Sequence, residues 1–195
     1  MLPITKATKK SALRVLVASF GDNPGALWVI KKKGNISNRL TALCTFCLEV
    51  SMQKNGAYLT SDTNGVALIY KSTARQNPIQ WLWGYIKLGN KCIGWDRAIS
   101  IIKRESTIQK KRPNKEHLYF WMLAVEDNKF GLSTIIEIRD FAYELSSRYN
   151  LPIYAETTLP KNLLMYERYG FTVYHTWVVE EEGITMWFLE RKPNQ

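Results

Sequence analysis

The residues best suited to bind a ligand lie in a polar loop between an apolar run and a helical segment. Residues 118–125 are apolar and predict a buried strand, residues 126–130 are polar, and Gly131 opens a segment with helical periodicity that extends to residue 149. Amides in the first turn of a helix have no intrahelical acceptor and lie at the positive end of the helix dipole. The loop therefore indicates a phosphate-binding site, although many strand–helix junctions share this pattern.

A second motif follows about twenty residues later. Residues 153–157 predict a short strand, and residues 160–169 predict a helix that Gly170 ends. The elements follow in the order of a strand, the loop Asn128-x-x-Gly131-x-Ser133, a helix, a second strand and the motif L-x-Y-E-R-x-G-F (residues 164–171). This order resembles the GNAT superfamily of N-acetyltransferases. The resemblance covers residues 117–175 specifically, and the N-terminal helices and hairpin are compatible with it.

The resemblance implies a binding mode for acetyl-CoA. Backbone amides of the loop from Asn128 to Ser133 would hold the pyrophosphate, and the pantetheine arm would pair with the backbone near Leu123 and Val125, like an added strand. A backbone N–H in that strand would polarise the thioester carbonyl. The implied cofactor-binding residues are Leu123, Ala124, Val125, Asn128, Lys129, Phe130, Gly131, Leu132, Ser133, Thr134 and Asn162.

The loop departs from the family pattern at two positions. Asn128 replaces Gln or Arg, and Ser133 replaces Gly or Ala. Contacts made by backbone amides tolerate both changes but leave binding weaker. Leu159 stands where the family often has asparagine, so the nearby Asn162 is the candidate for that cofactor contact.

Two side chains are candidates for catalysis, and the resemblance implies the role of the first. Tyr166 would protonate the departing CoA thiolate, whereas the alternative is a tyrosine packed in the core. Glu156 would deprotonate the incoming ammonium, and the alternatives are a cap on the following helix or an ion pair with a surface lysine. The sequence indicates no metal site.

The acceptor side is less well defined. Tyr119 is expected on the same strand face as Leu123 and His117, where it would line an acceptor pocket or simply pack, with His117 at the surface. The tryptophan-rich segment 78–95 is expected to cover the cleft, and Trp81 and Trp83 are its candidate contacts. Core packing and membrane contact are the alternatives for this segment.

Several further elements must position these residues. The first twenty residues and residues 38–54 have helical periodicity, and residues 57–62 and 66–70 predict a hairpin closed by an Asn-Gly turn. Residues 78–111 are helical, residues 112–114 break that helix, and residues 171–178 and 184–190 predict a closing strand pair. The expected fold is an α/β (α+β) domain: a central mixed, mostly antiparallel sheet with a parallel central pair, flanked by helices.

Length, composition and cysteine content limit the classes of protein to which the chain can belong. The 195 residues predict a single domain, divided into N-terminal helices and hairpin (1–70), a helical insertion (71–115) and an acyl-CoA-binding core (116–195). No apolar run approaches the ~20 residues of a membrane span, and no signal peptide is recognised. Only Cys44, Cys47 and Cys92 occur, which favours a reducing, cytoplasmic setting with the C-x-x-C pair packed in the core.

Charge is unevenly distributed along the chain. Residues 1–115 carry 20 Lys and Arg against five Asp and Glu, whereas the rest of the chain is acidic. A basic surface of this kind suits an anionic partner, and it favours an acidic acceptor over a polycation. The short basic runs lack the glycine and aromatic interleaving of an RNA-binding sheet, so nucleic acid is disfavoured.

The combined interpretation is an enzyme that transfers the acetyl group of acetyl-CoA to a primary amine by direct attack. The acceptor, a small molecule or a peptide amine, is left open. Two alternatives remain: a non-catalytic acyl-CoA-binding or regulatory module, and a basic nucleic-acid-binding protein.

Overall fold

A computed structural model describes residues 1–31, 34–126, 131–180 and 183–193. Within these ranges the chain forms a seven-stranded sheet in the order β1-β2-β3-β4-β5-β7-β6. The strands are β1 (Leu2–Pro3), β2 (Ala57–Leu59), β3 (Gly65–Lys71), β4 (Leu118–Val125), β5 (Ile153–Thr157), β6 (Thr172–Val179) and β7 (Ile184–Arg191). The helices are α1 (Lys9–Phe20), α2 (Pro24–Val29), α3 (Ile36–Gln53), α4 (Pro78–Leu88), α5 (Trp95–Lys111), α6 (Gly131–Tyr149) and α7 (Pro160–Arg168), and a π-helical turn (Gly89–Ile93) joins α4 to α5.

Neighbouring strands pair antiparallel except for the central pair β4 and β5, which is parallel. Side chains of β3 alternate between the two faces: Val66 and Leu68 pack against α1 and α3, whereas Ala67 and Ile69 pack against α6 and α7. The sheet is thus the middle layer between two helical layers. The predicted mixed, mostly antiparallel sheet with a parallel central pair is confirmed.

Side-chain caps fix the start of the N-terminal helices. The side-chain oxygen of Asn23 accepts a hydrogen bond from the Ala26 amide at the start of α2, and that of Asn35 accepts one from the Asn38 amide in α3. The predicted helix over residues 38–54 is confirmed and begins two residues earlier. The short helix α2 was not predicted.

The hairpin between β2 and β3 is present, but its turn differs from the prediction. The residue with positive φ is Thr63 (61°), and the Asp62 carboxylate accepts a hydrogen bond from the Asn64 amide at 3.0 Å. Gly65 serves a different purpose from the one predicted. A Cβ there would lie 2.5 Å from Cγ2 of Thr134, so glycine permits the close approach of α6.

An irregularity in β4 determines which way its side chains face. The register between β3 and β4 shifts at Leu68 and Ile69, which leaves Trp121 as an extra residue in β4. Trp121 and Met122 therefore both face α1 and α3. After this bulge the alternation of the strand is displaced by one residue.

The bulge overturns one expectation about the acceptor side. Phe120 and Leu123 face α6 and α7, whereas Tyr119 faces the opposite side and contacts Tyr70 with ring centroids 5.6 Å apart. Tyr119 and Leu123 therefore lie on opposite faces of the sheet. The sequence pattern did not reveal this because a bulge leaves no sign in a uniformly apolar strand.

The second half of β4 parts from β5. Residues 118–120 pair with residues 153–155, but for residues 122–125 the only strand partner among the described residues is β3. A gap between the two central strands opens at this point. It is the feature around which the candidate site is built.

The helical segment 78–111 spans both halves of the sheet. Leu88, Cys92, Ile93 and Ile101 pack with α1 and α3, whereas Ile108 packs against Met186 and Phe188 of β7. The segment therefore covers the face of the sheet above the gap. In the described part of the chain, no helix combines the length and apolarity needed to cross a membrane.

Candidate active site

A cavity of about 1180 Å³ passes through the gap between β4 and β5. On one side of the sheet it is bounded by α6 and α7, and on the other by α1 to α5. The residues of the first side include Leu123, Val125, Gly131, Ile135, Asn162, Met165 and Tyr166, and those of the second include Tyr70, Trp81, Tyr85, Glu105, Arg112, Tyr119 and Trp121. The cavity thus joins a cleft on one face of the sheet to a pocket on the other.

The free edge of β4 presents backbone groups to this gap. The Glu126 amide donates to the Asn64 carbonyl on the β3 side at 2.8 Å. Peptide groups alternate in direction along a strand, so those of Leu123 and Val125 face the gap. The Val125 amide donates a long hydrogen bond of 3.4 Å to Ser19 Oγ, which a ligand at this edge would have to replace. A linear ligand with amide groups can therefore extend the sheet at this edge.

The start of α6 borders the same cleft. Gly131 is the first residue of α6, and among the described residues the nearest atom to a Cβ at this position is Val125 Cγ1 at 4.0 Å. Because Gly131 lines the cavity, a side chain at this position would project toward space that a ligand can occupy. The first-turn amides of α6 lack intrahelical acceptors and point the same way as the helix dipole.

The remaining predicted cofactor residues have different positions. Asn128, Lys129 and Phe130 lie outside the described residues. Ala124 is fully buried on the other face of β4, and Leu132 is 69% exposed. Ser133 and Thr134 were predicted to contact the cofactor through their backbone amides. The Thr134 hydroxyl donates a hydrogen bond to Asp62 Oδ2 at 2.7 Å and is therefore engaged within the protein.

Tyr166 faces the cavity from α7. The residue is 7% exposed, and its ring packs edge-on against Phe171 with centroids 5.0 Å apart. The hydroxyl has no hydrogen-bond partner within the described ranges. Burial, and after it the negative charge of Glu156, raise the pKa of Tyr166 above its ordinary value, so the hydroxyl keeps its proton at neutral pH.

Glu156 belongs to a partly buried cluster on the opposite side of the gap. Arg112 Nε donates to Glu156 Oε1 at 2.6 Å, and Arg112 Nη2 donates to the Tyr119 hydroxyl at 2.6 Å. The guanidinium also lies 3.8 Å from the centre of the Tyr119 ring. Glu156 therefore neither caps α7 nor pairs with a surface lysine. A charged network of this kind holds its members in fixed positions, because removal of one leaves the others buried and unpaired.

Two cavity residues were missed by the sequence interpretation. Arg112 was predicted only to end a helix, and Glu105 was not considered. Both follow the repeat of cavity-facing positions along α5, which include Ile101, Ile108 and Gln109. Their spacing was visible, but the sequence carries no sign that this helix crosses the gap.

His117 and the three cysteines, the other candidates for metal binding or proton transfer, are buried in the protein. His117 is buried rather than at the surface, its Nδ1 lies 2.7 Å from the Lys115 carbonyl oxygen, and burial lowers its pKa. Cys44, Cys47 and Cys92 are free and buried, which confirms the packing interpretation of the C-x-x-C pair. Across the described residues, no group of three or more His, Cys, Asp or Glu is placed to hold a metal ion.

Solved structures with the same architecture are acetyltransferases and a related condensation domain. A histone acetyltransferase HPA2 and related acetyltransferase from Corynebacterium glutamicum is 20% identical, with a TM-score of 0.67 over 100% of this chain and 96% of that chain. Arylalkylamine N-acetyltransferase 2 from Aedes aegypti is 14% identical, with a TM-score of 0.61 over 98% and 97%. The chain has the GNAT acetyltransferase fold.

A third solved structure with the GNAT fold is a condensation domain rather than an acetyltransferase. The C-terminal condensation domain of Ebony, solved with beta-alanyl-dopamine, is 12% identical, with a TM-score of 0.66 over 98% of this chain and 97% of that chain. No protein-family sequence profile matches the chain. The likeness therefore lies in the fold, and the chemistry must be argued from the site.

Proposed function

We propose that the protein is an N-acetyltransferase that moves the acetyl group of acetyl-CoA to a primary amine. The single observation that carries the proposal is the cavity through the β4–β5 gap. It joins a free strand edge and a helix start, which suit a pantetheine and a pyrophosphate, to a pocket with carboxylates on the other face of the sheet. The acetyltransferases of the same fold support it.

The backbone near the gap would bind and polarise the donor. The peptide groups of Leu123 and Val125 would pair with the pantetheine amides, and an N–H of this edge would stabilise negative charge on the thioester oxygen. The first-turn amides of α6 would hold the pyrophosphate. These contacts come from the backbone, so they depend little on the two side-chain departures in the loop.

Side chains around the gap would then move the protons. An acceptor ammonium must lose one proton before its nitrogen can attack the thioester carbon, and Glu156 would receive this proton directly or through water. As the C–N bond forms and the C–S bond breaks, the Tyr166 hydroxyl would donate a proton to sulfur. The second nitrogen proton returns to Tyr166 or to solvent, and the products are an amide, a thiol and one released proton.

Arg112 Nε already donates to Glu156 Oε1 at 2.6 Å, so an oxygen that would receive the acceptor proton is engaged in an ion pair. This observation favours the alternative of an acyl-CoA-binding module that does not turn over. That alternative and the nucleic-acid-binding alternative predict different ligands, which makes them separable in one experiment.

Thermal unfolding with acetyl-CoA and, separately, with a duplex oligonucleotide tests the proposal. Acetyl-CoA at 100 times its Kd is expected to stabilise the protein by about 2.7 kcal/mol, whereas the duplex has no effect at physiological salt. Release of free thiol with a panel of amines then separates an enzyme from a binding module. Stabilisation by the duplex alone would refute the proposal. Stabilisation by acetyl-CoA without release of thiol in the presence of any amine would mean that the protein binds acyl-CoA but does not catalyse transfer.

Two tryptophans of α4 provide a matched pair for the acceptor side. Trp81 lines the cavity and packs on Tyr85 with centroids 4.7 Å apart, whereas Trp83 is 59% exposed and lies outside the cavity lining of the described residues. Trp81→Ala is expected to raise the acceptor KM about tenfold with the acetyl-CoA KM unchanged. Trp83→Ala is expected to change neither value. Equal effects of both variants on stability alone would reduce the segment to a packing role.

A further inference from the structure

The cavity-facing side of α5 carries an acidic residue between aliphatic ones. Positions that line the cavity recur every three or four residues along this helix, and the aliphatic residues on either side of Glu105 are Ile101 and Ile102 before it and Ile108 after it. The Glu105 side chain is solvent-accessible, yet burial raises its pKa. Both properties follow when a carboxylate faces water inside a cavity rather than bulk solvent.

Glu105 has no hydrogen bond or ion pair with any group in the described part of the chain. The charged groups close enough to influence its pKa are Arg112, Glu156 and Arg104. The Arg112 guanidinium is engaged by Glu156, and the Arg104 guanidinium stacks on Trp28 at 4.1 Å from the ring centre. A carboxylate in this position is most stable when a cation enters the cavity.

The surroundings of Glu105 are aromatic. Burial raises the pKa of Tyr85, and the charge of Glu105 raises it further; the same charge also contributes to the raised pKa values of the buried Tyr70 and Tyr119. Tyr85 in turn contacts Phe46, with ring centroids 5.1 Å apart. A ligand in this part of the cavity meets the Glu105 carboxylate beside aromatic side chains, with the Arg112–Glu156 ion pair on the same side of the cavity.

We propose that Glu105 binds the ammonium group of a monoamine acceptor whose carbon skeleton is aromatic or branched apolar. A charge-assisted hydrogen bond would fix the ammonium, and the aromatic side chains would contact the remainder of the molecule. A second ammonium would have no second free carboxylate there, and an anionic acceptor would be repelled. The local site therefore opposes the acidic acceptor that overall charge favours. The inference deepens the proposed function, on which its link to acetyl transfer rests.

Direct binding tests this site without catalysis. Isothermal calorimetry would compare 2-phenylethylamine with 2-phenylethanol, a neutral analogue, and with putrescine, a diamine. The wild-type protein is expected to bind 2-phenylethylamine most tightly of the three. Glu105→Gln is expected to weaken that binding about tenfold or more, with 2-phenylethanol unaffected. Glu105→Asp, which keeps the charge, is expected to retain the preference for amine over alcohol.

Glu144→Gln is the matched control, because it removes one negative charge from the exposed face of α6. It is expected to leave all three affinities unchanged. The proposal is overturned if 2-phenylethylamine does not bind, if it binds no tighter than the alcohol, or if Glu105→Gln equals Glu144→Gln. Titration of acetyl-CoA into the same proteins separates the two proposals: amine binding without acetyl-CoA binding refutes the acetyltransferase, and the converse refutes the Glu105 site.

Discussion

Replacement of Tyr166 by phenylalanine is expected to lower kcat about 10²–10⁴-fold, the usual value of a positioned general acid. The departing CoA thiolate resembles a cysteine thiolate, whose conjugate acid has a pKa of ~8.5. Burial raises the pKa of Tyr166, so the hydroxyl is protonated whenever the thiolate forms. The variant removes one oxygen that makes no hydrogen bond to the described residues, and the ring stays packed on Phe171.

The affinity for acetyl-CoA and the melting temperature should therefore be unchanged in Tyr166→Phe. Steady-state kinetics with detection of free thiol measure the effect on kcat. Tyr149→Phe is the matched control, because Tyr149 is 42% exposed at the end of α6. The variant keeps the ring, whose centre lies 3.7 Å from Lys71 Nζ. Full activity in Tyr166→Phe would assign the proton transfer to water, and Tyr166 would keep only a packing role.

The local pattern of the chain predicts most of its elements because each one is encoded by nearby residues. The apolar run of β4, the helical periodicity of α6 and the left-handed Asn150 (φ 51°) that follows it are properties of short segments. The same holds for the motif that places Tyr166 on α7. Segments of this kind need no knowledge of distant contacts.

The features that the sequence did not predict all depend on distant contacts. The bulge at Trp121 is set by pairing with β3, and the ion pair of Arg112 with Glu156 joins residues 44 positions apart. The sequence predicts that Gly65 is a turn glycine, but in the structure the lack of a side chain at this position makes room for Thr134 of α6. The acceptor side of the cavity consists largely of such contacts, which is why its residues emerged only from the fold.

Substitution of Gly131 by valine is expected to abolish acetyl-CoA binding while the fold is retained. Gly131 is the first residue of α6, and within the described part of the chain a Cβ there would meet only Val125 Cγ1, at 4.0 Å. The valine side chain would occupy cleft space beside the first-turn amides, where a pyrophosphate must approach the backbone. Its intrinsic effect on helix stability is less than about 1 kcal/mol.

A loss of binding at Gly131 can be separated from a loss of structure. Gly21→Val is the matched control, since Gly21 has a helical φ (−54°) and lies at the end of α1, outside the cavity lining. A Cβ at Gly21 would meet only backbone oxygens, at 3.8 Å. Calorimetry should detect acetyl-CoA binding to the wild type and to Gly21→Val but not to Gly131→Val, with a smaller loss in Gly131→Ala. An unchanged Kd in Gly131→Val would remove the start of α6 from the cofactor site, and the pyrophosphate would then have to be held by other residues bordering the gap.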